Sequence, residues 1–172
     1  MPLSGKSIAI LTEDLFNEFE FIYPFYRLQE AGAAVTVVGS GGGMTYRAKS
    51  GLAIVSDKGS GEVSAGDFDG LVIPGGYAPD HMRRHKATVD LVRDIFTAGK
   101  PVGAICHAGW MLASAEVLEG KRCTSFFAIK DDLVHAGALW EDAEVVQDGN
   151  LVTSRTPDDL PAFMKAYIAA FN

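Results

Sequence analysis

Three clusters in this 172-residue chain carry side chains that could do chemistry together, and each follows an apolar run of strand length. In Val102-Gly103-Ala104-Ile105-Cys106-His107-Ala108-Gly109 a β-branched stretch stops at a cysteine, and small residues take over. A strand that turns at once into a helix forces its corner residue into a strained backbone conformation and lifts that side chain over the ends of the sheet, where a nucleophile sits. Ala104 and Ala108 are small enough for so tight a corner, although the serine form of this elbow carries glycines there. A cysteine ending a buried strand is more often a small core hydrophobe than a catalyst. Its surroundings reverse that expectation. A helix N-terminus just beyond favours a thiolate, so Cys106 is expected to be appreciably ionised at neutral pH.

The second cluster is Pro74-Gly75-Gly76, directly after the run Gly70 to Ile73. Read alone it is only a turn; beside Cys106 it brings backbone close to a substrate. The N–H groups of Gly75, Gly76 and His107 are then candidates to hold a developing oxyanion. The third is Glu20, within Phe16-Asn17-Glu18-Phe19-Glu20-Phe21-Ile22-Tyr23-Pro24. Apolar side chains on almost every face predict a buried helix. Pro24 cannot donate to the Glu20 carbonyl and bends the helix there. Burial would raise the Glu20 pKa and make it a proton partner for the Cys106 sulfur; Glu18 is the better candidate for an ordinary exposed helix acid. Neighbouring residues at a sharp corner tend to point apart, so adjacency alone does not pair His107 with Cys106. His107 is instead free to face Asp80. The stretch holding His81, Arg83, Arg84 and His85 is expected to be a solvated polar loop. Cys123, Met82 and Trp110 read as packing residues, with Trp110 at the pocket mouth, and His135 ends its helix.

These clusters need an open α/β sheet to meet, because such sheets gather ligands at the carboxyl ends of their strands where connections diverge. Strands are expected near 7–11, 34–38, 70–73 and 101–105, with helices over 17–31 and 87–98 between them. Gly99-Lys100-Pro101 stops the second helix. Further helices are read over 109–115 and 129–135, and strands around 144–146 and 151–154. A last helix is expected from Thr156 as cap, Pro157 at its first position and acids in its first turn. The Gly- and Ser-rich stretch 39–66 reads as short strands and turns crossing the sheet edge. The expected architecture is a three-layer α/β sandwich with a mostly parallel, flavodoxin-like sheet, in one domain over 1–172.

Composition narrows the partners. Fifteen Lys and Arg against 22 Asp and Glu leave a formal net charge of −7, which argues against nucleic acid as the main partner. The two cysteines lie in no metal-type spacing, so neither a disulfide framework nor a metal or organic cofactor is expected. The apolar run at residues 8–11 is too short for a signal or a membrane span, and a cytoplasmic protein is expected.

Taken together, these residues closely resemble the PfpI-type intracellular proteases and general stress proteins of the ThiJ/PfpI superfamily, a branch of the class I glutamine amidotransferase-like fold. The resemblance is carried by Glu20 with Ile22-Tyr23-Pro24, Leu71-Val72-Ile73-Pro74-Gly75-Gly76, Gly99-Lys100-Pro101-Val102, Ala104-Ile105-Cys106-His107, and Thr153-Ser154-Arg155-Thr156-Pro157-Asp158-Asp159-Leu160. Ile129-Lys130-Asp131-Asp132 and Gly137-Ala138 fit as well, so it spans nearly the whole chain. Members are variously described as peptidases, deglycases of glyoxal-derived adducts, glyoxalases, chaperones and oxidative-stress sensors. The resemblance implies Cys106 as nucleophile, Glu20 as its acidic partner and His107 as the histidine of a triad. In the archaeal protease type the triad acid is a glutamate given by a neighbouring subunit; that position here is Asp80, one methylene shorter. This favours a cysteine-dependent stress-response hydrolase acting on glyoxal or methylglyoxal adducts, free dicarbonyls or glycated protein. It would form a homodimer or higher oligomer that partly completes the site at its interface. The alternatives are an ATP-independent intracellular cysteine peptidase, which also accepts unfolded protein, and a non-catalytic redox sensor or chaperone working through Cys106 oxidation.

Overall fold

The structure, a computed structural model, describes residues 1–171. Its framework is a seven-stranded sheet in the order β10-β11-β7-β6-β1-β2-β5. The strands are β1 (Ser7–Leu11), β2 (Ala34–Gly39), β5 (Lys58–Gly59), β6 (Gly70–Ile73), β7 (Val102–Ile105), β10 (Val145–Asp148) and β11 (Leu151–Ser154). All pairings are parallel except β10 with β11. The central strands β6 and β7 are buried along their whole length, as parallel strands covered on both faces must be.

Right-handed crossovers decide where the helices lie. From β1 the chain passes through α1 (Glu18–Glu30) to β2 on one side of β1; from β6 it passes through α3 (Lys86–Thr97) to β7 in the opposite direction. Opposite directions with the same hand put α1 and α3 on opposite faces. Helix α6 (Leu160–Ala169) packs beside α1, whereas α4 (Gly109–Ser114) packs against α3, with α2 (Ala78–Met82) and α5 (Lys130–His135) against α4. The result is the three-layer arrangement expected. The point where the winding reverses lies between β1 and β6, and there the crevice opens at the strands' carboxyl ends.

Outside the main sheet, β3 (Thr45–Arg47) and β4 (Ala53–Val55) form a hairpin, and β8 (Arg122–Cys123) pairs with β9 (Leu139–Trp140). The 39–66 stretch therefore does hold short strands at the sheet edge. The pair β8–β9 is an addition: two-residue strands carry too little alternation to be read from sequence. Two other expectations need correction. Residues 78–82 form a helix anchored by buried Ala78, Pro79 and Met82, which takes His81 out of the expected polar loop and leaves only 83–85 as a turn. And Thr156 makes no side-chain cap; a 3-10 turn over Pro157–Asp159 precedes α6, with the Asp159 carboxylate accepting from the Arg155 backbone N–H at 3.0 Å and its Nε at 2.9 Å.

Candidate active site

Cys106 occupies the corner between β7 and a 3-10 turn over Cys106–Ala108 that leads into α4. Its φ is +62°, a left-handed conformation that costs a non-glycine residue on the order of 1–3 kcal/mol. Such strain persists only where surrounding structure enforces it. Here Ile105 is locked in the parallel ladder with Ser154, and the Cys106 carbonyl accepts from Phe126 N–H at 3.2 Å. Leu15, with φ +64°, is the second strained residue at this end of the sheet.

Glu20 reaches the corner from the first turn of α1. Asn17 caps that helix, its Oδ1 accepting from the N–H groups of Phe19 and Glu20 at 3.0 and 3.2 Å. The Asn17 backbone N–H donates in turn to the Gly75 carbonyl at 3.2 Å, and the Gly75 N–H donates to Glu20 Oε2 at 2.7 Å. Both polar groups of Gly75 are thus engaged by the start of α1. No side chain fits there: a Cβ on Gly75 would stand 2.6 Å from Glu20 Oε2, 2.8 Å from Cys106 Cβ and 3.0 Å from His107 N. Gly76, at φ +74°, bridges to Phe16, and a Cβ there would strike the backbone of residues 15–17 at 2.5–2.8 Å.

This allocation corrects the oxyanion reading. The Gly75 N–H is committed to Glu20, which leaves the Gly76 and His107 N–H groups, both near enough to the Cys106 sulfur to pull its pKa down. Those two donors suit an anion forming beside the sulfur.

Glu20 is wholly buried, and burial pushes its carboxyl from 4.5 to about 7, against the opposing pull of the Gly75 N–H and the Cys106 side chain. Cys106 lies close enough to perturb this carboxyl, and Glu20 Oε1 makes no hydrogen bond among the described residues. Burial, and then the Glu20 charge, push Cys106 up to about 12, while the N–H groups of His107 and Gly76 pull it down. Those directions run against the standing thiolate expected from the sequence, and the like charge of Glu20 and Cys106 couples the two groups. Burial and like charge outweigh an α4 of only six residues.

His107 does pair with its neighbour: Nδ1 lies 3.2 Å from Cys106 Sγ. The corner conformation turns both side chains to one side, which sequence adjacency could not establish. Partial burial lowers the His107 pKa, which favours the neutral ring that can accept a proton. It stacks on Phe126 at 4.9 Å and meets the edge of Trp110 at 5.1 Å. Trp110 spends its indole N–H on Asp132 at 2.8 Å, lies under the Arg83 guanidinium at 5.8 Å and neighbours Tyr77 at 6.5 Å. It is a wall of the site rather than a donor to substrate. Asp80 does not face His107 within the chain; it pairs with Arg84, and Arg83 donates to Ser114 Oγ at 2.9 Å. The i,i+4 spacing of Asp80 and Arg84 was the available signal for that pair. Among the described residues no cluster of His, Cys, Asp and Glu is arranged to hold a metal, and no helix is long and apolar enough to cross a membrane.

Known proteins are similar to this chain over nearly its whole length. Residues 6–170 match the model of the DJ-1/PfpI family. The chain is 42% identical over 161 residues to deglycase PfpI of Pyrococcus furiosus, covering 94% of this chain and 96% of that one. It is 41% identical over 168 residues to general stress protein 18 of Bacillus subtilis, covering 96% and 97%. A crystal structure from Anabaena variabilis, of a two-domain protein with DJ-1/ThiJ/PfpI-like and ferritin-like domains, superposes with a TM-score of 0.93 at 43% identity. The match covers 95% of this chain and 47% of that longer one.

Proposed function

The chain belongs to the DJ-1/PfpI family, and on that premise we propose that it is a cysteine-dependent stress-response hydrolase acting on glyoxal and methylglyoxal adducts. The observation that carries the reading is the strained Cys106 corner, with a fully buried, unpaired Glu20 oxygen beside it and two backbone N–H groups near the sulfur. A buried carboxyl at about 7 can both take and return a proton near neutral pH, which suits a general acid–base.

In the proposed reaction the Cys106 sulfur replaces the carrier's thiol or amine at the aldehyde-level carbon of the adduct, giving a hemithioacetal on Cys106; the carrier leaves with a proton, and the Cys106 proton passes to Glu20. The Gly76 and His107 N–H groups hold the oxyanion formed. Proton transfer from that carbon to its neighbour, through an enediol, oxidises the first carbon to the acid level as a thioester and reduces the second to an alcohol. Water then cleaves the thioester, giving a hydroxy acid and the free thiol. The redox change is internal to the substrate, so no external oxidant is consumed. Release of lactate from a methylglyoxal adduct of N-acetylcysteine tests this; lactate formed equally by wild type and Cys106→Ser would reject it.

A peptidase is the second reading, favoured by the 3.2 Å approach of His107 Nδ1 to the sulfur. It also needs an acid on His107, and the candidate Asp80 is paired with Arg84. We take residues 1–172 as one domain and infer a homodimer through the outward face of α1, where Phe19 and Tyr26 are exposed. Cytoplasmic residence is part of the same reading.

A further inference from the structure

A histidine that works beside a nucleophile needs something to hold its ring, and here the candidate acid, Asp80, is spent on Arg84. Two aromatic neighbours hold the ring instead. Phe126 stacks on it at 4.9 Å and Trp110 meets it at 5.1 Å with the planes 64° apart, and in that seat His107 Nδ1 lies 3.2 Å from the Cys106 sulfur. Phe126 is tied to the corner by its backbone, whose N–H donates to the Cys106 carbonyl at 3.2 Å. Trp110 is tied by its side chain. Its indole N–H donates to Asp132 Oδ2 at 2.8 Å, and the Arg83 guanidinium, itself donating to Ser114 Oγ at 2.9 Å, lies 5.8 Å over its ring. Asp132 comes from the first turn of α5, which approaches α4 closely because Gly109 has no side chain: a Cβ there would stand 2.8 Å from Leu133 Cδ2 and 3.2 Å from Ile129 Cδ1. An indole without a partner for its N–H turns readily about its second side-chain torsion, and the edge it shows His107 turns with it.

We infer that Asp132 is a positioning residue for the His107 imidazole and acts through the Trp110 indole. By fixing the turn of the indole, the carboxylate fixes the surface against which the imidazole rests, and so keeps Nδ1 rather than Cδ2 towards the sulfur. Either sense of that contact serves the chemistry: Nδ1 takes the thiol proton when it accepts, and steadies the charged sulfur when it donates. The role extends beyond the deglycase reading, because any reaction that begins at the Cys106 sulfur meets the same ring. Asp131 supplies the internal contrast. It is an exposed acid in the same first turn of α5, with the same charge, but the indole N–H goes to its neighbour.

The test reads the rate of Cys106 alkylation by iodoacetamide at neutral pH, and the His107 ring nitrogens by NMR, assigned against His107→Gln. Asp132→Ala is expected to slow alkylation roughly fivefold and to shift the His107 Nδ1 resonance. Asp132→Asn keeps an acceptor oxygen for the indole and should hold the rate within about twofold of wild type. Asp131→Ala should move neither readout. Trp110→Phe keeps a ring but drops the N–H, so it should slow alkylation as Asp132→Ala does, and the double variant should be no slower than either single one. A rate and an Nδ1 resonance unmoved by Asp132→Ala, a loss in Asp132→Asn as large as in Asp132→Ala, or losses that multiply in the double variant, overturns the proposal. If Asp132→Ala does not fold, the other two variants decide. Alkylation slowed in Trp110→Phe and not in Asp132→Asn supports the role; both slowed, or neither, rejects it. Lactate release from the N-acetylcysteine adduct, measured alongside, keeps the two readings apart, because its absence in wild type rejects only the deglycase and leaves the alkylation result to decide the role of Asp132.

Discussion

The molecule holds two buried cysteines in nearly opposite circumstances. Cys106 directly follows β7 and Cys123 ends β8; burial raises both thiols, to about 12 and about 11, and a carboxylate nearby adds to the rise in each. Desolvation is therefore not what separates a reactive cysteine from a packing one. The corner is. Cys106 has a left-handed backbone, two N–H groups near its sulfur, a histidine nitrogen at 3.2 Å and a buried carboxyl with a free oxygen. Cys123 lies in regular strand, wholly buried, and its acidic neighbour Glu141 is an exposed partner of Arg122. A thiol that is hard to ionise becomes a nucleophile only where a base takes its proton during attack and donors await the charge that forms.

The sharpest way to break this contrast is to replace each cysteine in turn. Cys106→Ser is expected to lower kcat/KM on a methylglyoxal adduct by roughly 10³-fold or more. Cys123→Ser should leave it unchanged and cost about 1–2 kcal/mol in urea unfolding, from a hydroxyl placed in a closed interior. Gly75→Ala attacks the corner's geometry without touching the nucleophile. Its Cβ would drive Glu20 and Cys106 apart, and a loss of about 10²-fold in kcat/KM is expected, with secondary structure retained by circular dichroism.

Glu20→Gln sharpens the electrostatic half. A carboxyl whose folded-state pKa lies above its unfolded value binds its proton more tightly in the native state, so it costs no stability below about pH 4.5. The cost grows as pH rises and is complete above about 7. The rise from 4.5 to about 7 corresponds to on the order of 3 kcal/mol, because this side chain is fully buried. Denaturation at pH 8 should thus find Glu20→Gln more stable than wild type by up to that amount, with the two converging near pH 4. Iodoacetamide labelling should show the Cys106 pKa lowered in the same variant, because the Glu20 charge that raises it is gone. An unchanged labelling profile would remove Glu20 from the site. Cys123 should stay unlabelled in the folded protein at every pH.

The smallest effect is expected at Asp80. Its exposed pairing with Arg84 contributes at most about 1 kcal/mol. Asp80→Asn should move lactate formation by less than about threefold. Peptidase turnover that vanishes in both Cys106→Ser and Asp80→Asn, with no activity on adducts in wild type, would make the peptidase the correct reading.

The long strands were legible as short unbroken apolar runs, as strands covered on both faces must be, and α1 was legible in extent but not in burial, since Phe19 and Tyr26 on its outward face are exposed. Strands β1, β6 and β11 start and end where their runs do, and α1 begins at the Asn17 cap. Helix α2 was not legible. One turn of helix has too few residues to show a period, and its buried members, Ala78, Pro79 and Met82, become a face only once α4 lies against them.

By itself the sequence determined that a cysteine ends a strand at a tight turn, that a glycine pair ends another, and that an acid lies in an apolar helix. These are local facts of residue size, backbone freedom and hydrophobic pattern. Which groups meet was decided only in the folded chain. The Gly75 N–H goes to Glu20 rather than to a substrate, His107 turns to the sulfur rather than to Asp80, and burial with the Glu20 charge pushes the thiol pKa up. Each of these depends on how many donors, acceptors and charges converge on one desolvated point, and residues 20, 75 and 106 converge only where the reversal of winding between β1 and β6 brings three strand ends together.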